Sequence, residues 1–259
     1  MNTKHIKASL VLDSHLVSKH TFEFVKWCQS SSIINIDCLI QICKQEQSKY
    51  NLFFKYLPHR LLWMVILKAE RFKIKKTLNR DYSKSYDLST LIEKTIKVYP
   101  HQSKPTRKNC LEEITKRKIK DLNLDLHIAF EFNDFLGEFR ETSNLGVFAF
   151  HKGYPDEVSI GPVGFEEVLN TTTKTGFSII RYSKEKQYAS VVQSGSFSTH
   201  NYFSANRENL FLRRNFYMQK LMHCIFEDEI YPEDTHIFSE LVSVPETPSF
   251  FHQLNYFSG

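Results

Sequence analysis

Two hydrophobic periods alternate along this chain, and their order predicts its elements. Ala8 to Asp13 alternates into a buried strand. Ser18 to Gln29 then carries Phe22, Val25 and Cys28 at i, i+3 and i+6, the face of a helix. Ile33 to Ile42 reads as a strand, with a helix from near Asp37 as the competing reading. Strand, helix and strand in close succession predict a βαβ opening. Leu52 to Arg71 reads as a helix interrupted or entered at Pro58, and Asp87 or the Thr90–Glu93 pair offers a cap for another short one. Asp81 to Pro105 is polar and is expected to be a long surface excursion.

A second α/β step follows. Asn109 and Glu112 form a cap signal around Leu111, Ile114, Ile119 and Leu122, expected on one helical face, and Leu124 to Phe132 follows at once as a buried strand. Val147 to Phe150 is a short apolar run, Thr175 to Tyr182 and Tyr188 to Val192 read as paired strands, and Asn201 to Phe226 is a helix facing inward through Phe211, Met218, Met222 and Ile225. From Glu227 onward three prolines and no strong period predict an extended tail packed on the domain, or a linker stub. The expected organisation is one α/β domain over residues 1–226 and a tail over 227–259.

Composition narrows the function classes. With 259 residues, 41% of them apolar, the chain buries a substantial core. A net charge of +5 falls short of the dense basic stripe of a dedicated nucleic-acid binder, so nucleic acid is not an expected partner. Lys68 to Arg80 holds six Lys/Arg and Lys104 to Lys120 seven; both are read as solvated faces, with anion binding as the sharper alternative. No glycine precedes Gly137, so a G-x-G-x-x-G turn after the first strand and a Walker loop are both excluded. Five cysteines without a C-x-x-C pair indicate neither a disulfide framework nor a zinc site, and a reducing, cytoplasmic setting is the expectation. The longest apolar run, Leu61 to Leu67, is far shorter than the ~20 residues of a membrane span, although an amphipathic surface contact stays open. His15, His59 and His200 lack a carboxylate or second histidine at i+3 or i+4, His20 has Glu23 at i+3 but no third ligand, and all four read as surface or capped histidines.

His151 differs by position. It stands where the Val147–Phe150 run meets a loop rich in glycine and proline, the place where open α/β sheets hold ligands. The same position equally suits a histidine that merely finishes a strand. Gly153, Gly161, Pro162 and Gly164 give the following loop the backbone freedom for a close approach by a ligand.

The motifs around this loop resemble those of the formyltransferase family. The matching type is the formyltransferase-like domain of bacterial proteins and of the start of plant glucosamine inositolphosphorylceramide transferases. The residues that carry the resemblance are Gly146-Val147-Phe148-Ala149-Phe150-His151-Lys152-Gly153, Gly161-Pro162-Val163-Gly164-Phe165-Glu166, Thr175-Gly176, Gln187-Tyr188-Ala189 and Asn201-Tyr202 through Asn206-Arg207. The resemblance implies a Rossmann-like formyltransferase domain with a mostly parallel sheet flanked by helices. It also implies N10-formyltetrahydrofolate as cofactor and a small-molecule amine, such as an amino sugar, as acceptor. It assigns His151 and Gln187 as the working residues and the Gly153, Gly161, Pro162 and Gly164 loop to cofactor binding.

The family's working set is an Asn-x-His pair and a downstream Asp. Here the Asn position is Ala149 and the Asp position is Gln187, and the loop arginine is replaced by Ser159. Amine attack on a formyl carbonyl builds an oxyanion, and losing one donor to it costs about 2.7–4 kcal/mol, or 10²–10³ in rate. Gln187 brings no charge to stabilise a protonated His151. The expectation is therefore a formyltransferase-like enzyme of impaired or altered chemistry. The alternative is an inactive binding module for a sugar, nucleotide or protein partner. Glu166, Glu167 and Glu185 are the carboxylates considered as substitutes for the missing Asp.

Overall fold

The structure is a computed structural model that describes residues 5–43, 61–70, 72–73, 84–102, 109–130, 135–153, 162–186, 189–227, 236–238, 252–253 and 256. The chain opens with β1 (Ile6–Leu12), a two-residue β2 (Leu16–Val17), α1 (Lys19–Ser30) and β3 (Ile34–Ile42). Ser18 caps α1, its hydroxyl accepting from the Thr21 N–H. Residues 61–70 are helical and are labelled α2. Then come β4 (Tyr86–Asp87), β5 (Thr95–Val98), β6 (His101–Gln102), β7 (Asn109–Cys110), α3 (Glu113–Lys120) and β8 (Leu126–Ala129). The second half is β9 (Val147–Lys152), α4 (Phe165–Leu169), β10 (Lys174–Tyr182), β11 (Ala189–Ser198), α5 (Phe203–Glu227) and β12 (His236–Phe238).

Eight strands form one sheet in the order β12-β11-β10-β9-β8-β1-β3-β5. From β5 to β9 every pairing is parallel, and from β9 to β12 every pairing is antiparallel. The chain builds outward from β1 through β3 to β5 and then returns to the other side of β1 with β8, which puts the topological switch between β1 and β8. The central strands are apolar on both faces because both faces are covered. Leu10, Leu126, Ile128, Phe148 and Phe150 pack toward α1 and α5, whereas Val11, Ala129, Val147 and Ala149 pack toward Ile119 of α3 and the turn at Leu136–Phe139.

Two expectations need correction. Within the supposed surface excursion, Thr95–Val98 forms the edge strand β5, parallel to β3, and Asp87 caps a single 3-10 turn, Leu88–Thr90, its carboxylate accepting from the Ser89 N–H. A four-residue edge strand needs few apolar positions, so its alternation is hard to see. In α3 only Ile119 is buried and Ile114 is well exposed, because the helix is short and Leu111 precedes it. Beyond Glu227, His236–Phe238 pairs with β11 and lengthens the sheet. The predicted stretches at Leu52–Arg60 and in most of the tail lie outside the described residues.

Helix α2 is held by side chains distant in sequence. Trp63 meets Phe165 edge-on at 5.2 Å between centroids and Phe203 at 5.4 Å. The buried Glu70 carboxylate accepts hydrogen bonds from the Ser204 N–H, the Ser204 hydroxyl and the Tyr256 hydroxyl. It thus caps the first turn of α5, where an anion also favours the helix dipole. Burial, joined by the Glu70 carboxylate, pushes the Tyr256 phenol upward.

A buried histidine joins β8 to β1. His127 Nδ1 lies 2.6 Å from the Ser9 hydroxyl and Nε2 lies 2.8 Å from the Thr142 hydroxyl, while Thr142 donates to the Phe139 carbonyl. Thr142 has one proton and spends it on Phe139, so Nε2 carries the ring hydrogen and Nδ1 accepts from Ser9. Although this resembles a nucleophile beside a base, all three groups are buried. Desolvation by burial lowers the His127 pKa to about 3. The unfolded value is near 6.5, so stability is fully present above that pH and falls by about 1.4 kcal/mol per unit as pH drops toward 3. Urea unfolding from pH 7 to pH 4 is expected to show this loss, and His127→Gln is expected to flatten the profile by one proton.

Candidate functional site

β9 places the candidate residues. Gly146, just ahead of it, has φ +83°, and a methyl there would stand 1.9 Å from the Tyr182 carbonyl oxygen, so only glycine lets the chain enter the strand beside β10. Val147, Ala149 and His151 then share one face of the sheet by strand alternation, while Phe148 and Phe150 take the other. His151 pairs with Ser178 of β10, whose hydroxyl donates to the Gly153 carbonyl at 2.7 Å. The Gly153 N–H donates to the Gly176 carbonyl at 3.0 Å, and these bonds clasp the end of β9. The His151 side of this end is closed: the residue is 2% exposed. Ala149 is fully buried opposite Ile180, within the apolar cluster.

The loop before α4 is organised by Asn206. Its amide Nδ2 donates to the Gly164 carbonyl at 2.9 Å and lies 2.9 Å from the Thr175 hydroxyl, and its Oδ1 accepts from the His200 N–H at 3.0 Å. Gly164 caps α4 with φ +81°, and an added methyl would approach the Asn206 amide to 3.2 Å. The Pro162 carbonyl accepts from the Phe165 N–H at 3.0 Å. Gly164, Thr175 and Asn206, far apart in sequence, therefore converge on one buried amide.

Gln187 and Gly161 lie outside the described residues. Arg181 pairs with Phe148 on one side and Ser190 on the other, so Lys186 and Ala189 flank the sheet edge where β9 begins. His151 stands three residues further along β9, roughly 10 Å at strand rise. Glu185 shares that beginning edge, and its carboxyl is held low chiefly by a backbone hydrogen bond, helped by Ser183. Glu166 and Glu167 belong to the first turn of α4.

A polar cluster that the sequence did not reveal lies on the opposite face of the sheet, between α1 and α5. His20 Nε2 meets Glu208 Oε1 at 2.5 Å, and His20 is buried, which corrects its reading as a surface or capped histidine. The buried Arg214 guanidinium sits 3.9 Å from the Phe130 ring centroid and donates to the Thr21 hydroxyl at 3.2 Å. No local spacing announces these pairs, because each joins residues distant in the chain. A cavity of about 600 Å³ opens between α2, the end of α4 and the β11–α5 connection, lined by Glu70, Val168, Thr199, His200, Tyr202 and Tyr256 among others, and not by His151.

No family model matches the chain, and no curated protein sequence matches it. Among solved structures, phosphoribosylglycinamide formyltransferase from Anaplasma phagocytophilum aligns with 94% of this chain and 100% of its own, at TM-score 0.52 and 12% identity. Glycinamide ribonucleotide transformylase 1 from Symbiobacterium toebii aligns over 94% and 96%, at TM-score 0.51 and 7% identity. An N-formyltransferase from Helicobacter canadensis, solved with folinic acid and dTDP-3-aminofucose, aligns over 97% and 79%, at TM-score 0.50 and 9% identity. These likenesses show the formyltransferase fold, in agreement with the expected Rossmann-like sheet.

Removing the Asn206 amide strands the buried Gly164 carbonyl, leaves the Thr175 hydroxyl with Thr199 alone and takes the acceptor from the His200 N–H. Asn206→Ala is expected to destabilise the protein by about 2–4 kcal/mol, read as a lowered urea midpoint at unchanged m-value.

Proposed function

We propose that this chain is a formyltransferase-like protein in which formyl transfer from N10-formyltetrahydrofolate to an amine is impaired or altered, with ligand binding kept by the end of β9 and the glycine residues that follow it. The observation that carries this reading is the burial of Ala149 on the same face of β9 as His151, packed opposite Ile180. By resemblance, Ala149 occupies the position of the donor to the formyl oxygen. A methyl group closed into an apolar cluster offers no hydrogen bond to a developing oxyanion.

The residues present therefore fit the reacting formyl group poorly. His151 alone remains of the three working positions, and Gln187 brings no carboxylate charge to an imidazolium. What the fold retains is the clasped end of β9, with Gly153, Pro162 and Gly164 in the following loop and Gly161 between them. Those residues support binding of a folate or of an amine-bearing small molecule such as an amino sugar. The formyltransferase-like type named from the motifs, and a cytoplasmic setting, belong to this same proposal.

The alternative of a wholly inactive binding module is favoured by the 2% exposure of His151. Binding and turnover separate the two. Calorimetry with folinic acid or a sugar nucleotide is expected to show binding. Formyl transfer to a panel of amino sugars is expected at least 10²–10³ below that of a formyltransferase with Asn at the Ala149 position. Transfer at an unimpaired rate would overturn the proposal, as would the absence of binding by folded protein to folates and sugar nucleotides alike. Ala149→Asn is expected to lower stability by about 1–3 kcal/mol without raising transfer, because it buries an amide among apolar side chains.

A further inference from the structure

We infer that β11 and α5 together receive an extended peptide with apolar side chains and a carboxylate, which adds a strand to the open edge of the sheet. The inference is independent of the reading of His151. β12 pairs with β11 from Ala189 to Val191, and from Gln193 to Ser198 no strand lies on that side of β11 among the described residues. On its other side this stretch pairs with β10 without a break, and the Thr199 N–H donates to the Thr173 carbonyl at 3.1 Å. Alternation of the antiparallel ladder then turns the N–H and C=O groups of Gly195 and Phe197 toward β10 and those of Ser194, Ser196 and Ser198 toward the open side. The Ser194 carbonyl takes the Gln193 side-chain amide at 3.1 Å.

Natural sheets blunt such an edge with lysine, proline or a covering element. Gln193 to Ser198 contains neither charge nor proline. A groove of about 490 Å³ runs beside it, lined by Phe197 and Ser198 of β11 and by Asn209, Leu212, Arg213 and Phe216 of α5. Leu212 is 45% exposed and Phe216 56%. Open backbone groups beside an apolar groove are the two parts of strand addition: the main chain binds the guest, and every second side chain of the guest enters the groove.

Charge selects the guest. Asn209 to Lys220 contains Arg213, Arg214 and Lys220 and no carboxylate. Arg214 is buried against Phe130 and Thr21, whereas Arg213 and Lys220 are exposed and hold no ion pair among the described residues. Glu208, one turn earlier, faces His20 on the α1 side of the helix. A carboxylate on the guest therefore meets Arg213 at the groove and gains a charge-assisted hydrogen bond. A second copy adding its own β11 about a twofold would instead carry the same cations to both sides of the contact.

Selection from a display library of random linear peptides on the full chain tests this. The enriched peptides are expected to alternate apolar residues and to carry Asp or Glu, and a synthetic copy is expected to protect the amides of Ser194, Ser196 and Ser198 from hydrogen exchange. Ser196→Pro removes an outward N–H and leaves the β10 ladder whole, so it is expected to lose about tenfold or more in affinity at unchanged circular dichroism. Arg213→Glu is expected to weaken the acidic peptide by a similar factor and to prefer a copy with lysine in place of the acid; it serves as the test if Ser196→Pro fails to fold. The inference is overturned if no sequence is enriched, if folded Ser196→Pro binds as the parent does, or if Arg213→Glu leaves the preference for the acid unchanged. A dimer in size-exclusion chromatography that Ser196→Pro dissociates, with no peptide bound by either, overturns it in favour of self-pairing.

Discussion

Strand β9 takes parallel hydrogen bonds from β8 on one side and antiparallel bonds from β10 on the other, and the arrangement around the candidate site follows from that position. Because side chains in a strand alternate, fixing Phe148 and Phe150 against α1 and α5 obliges Val147, Ala149 and His151 to face the other core. A one-residue slip would send two phenylalanines into the smaller cluster and His151 toward the large one. Gly146 prevents it at one end, by admitting the Tyr182 carbonyl, and the Ser178–Gly153 bond does so at the other. The face on which His151 stands is thus a consequence of where the aromatic residues are buried.

Several polar groups in the interior look chemical at first sight and are accounted for by structure. Ser9, His127 and Thr142 form a chain of hydrogen bonds in which every proton has a destination, and they tie β1, β8 and the turn after Phe139 together. Asn206 binds the α4 loop, β10 and the start of α5. Glu70 caps α5 from a helix placed far earlier in the chain. An unsatisfied polar group in the interior costs about 1–3 kcal/mol, so such groups are kept where a partner awaits them. They act as connectors between elements that apolar contact alone would let slide.

Helix α2 shows how one element serves two surroundings. Its inner side completes an aromatic cluster with Phe165, Phe203 and Tyr256 and so helps define the cavity beside the α5 start. Its outer side keeps aliphatic and aromatic residues in water, a cost that a folded monomer avoids unless something covers them. The inward turn of Glu70 ties this helix to the first turn of α5.

The α/β class, the βαβ opening, the paired strands β10 and β11 and the long helix α5 were legible in the residues themselves, because each is a long, periodic apolar pattern that local geometry reads directly. The motifs that carry the resemblance were legible too, and they drew attention to Gly164, Thr175, Asn206 and His151 before any contact was known. The edge strand β5, the docking of β12 and the His20–Glu208 pair were not, since each depends on a partner distant in the chain and carries almost no period of its own. Tertiary structure alone decided that Ala149 faces a closed apolar core, that His151 is covered, and that Glu70 points inward. Which way a side chain faces is set by what packs on both sides of its element, and that is a property of the assembled sheet.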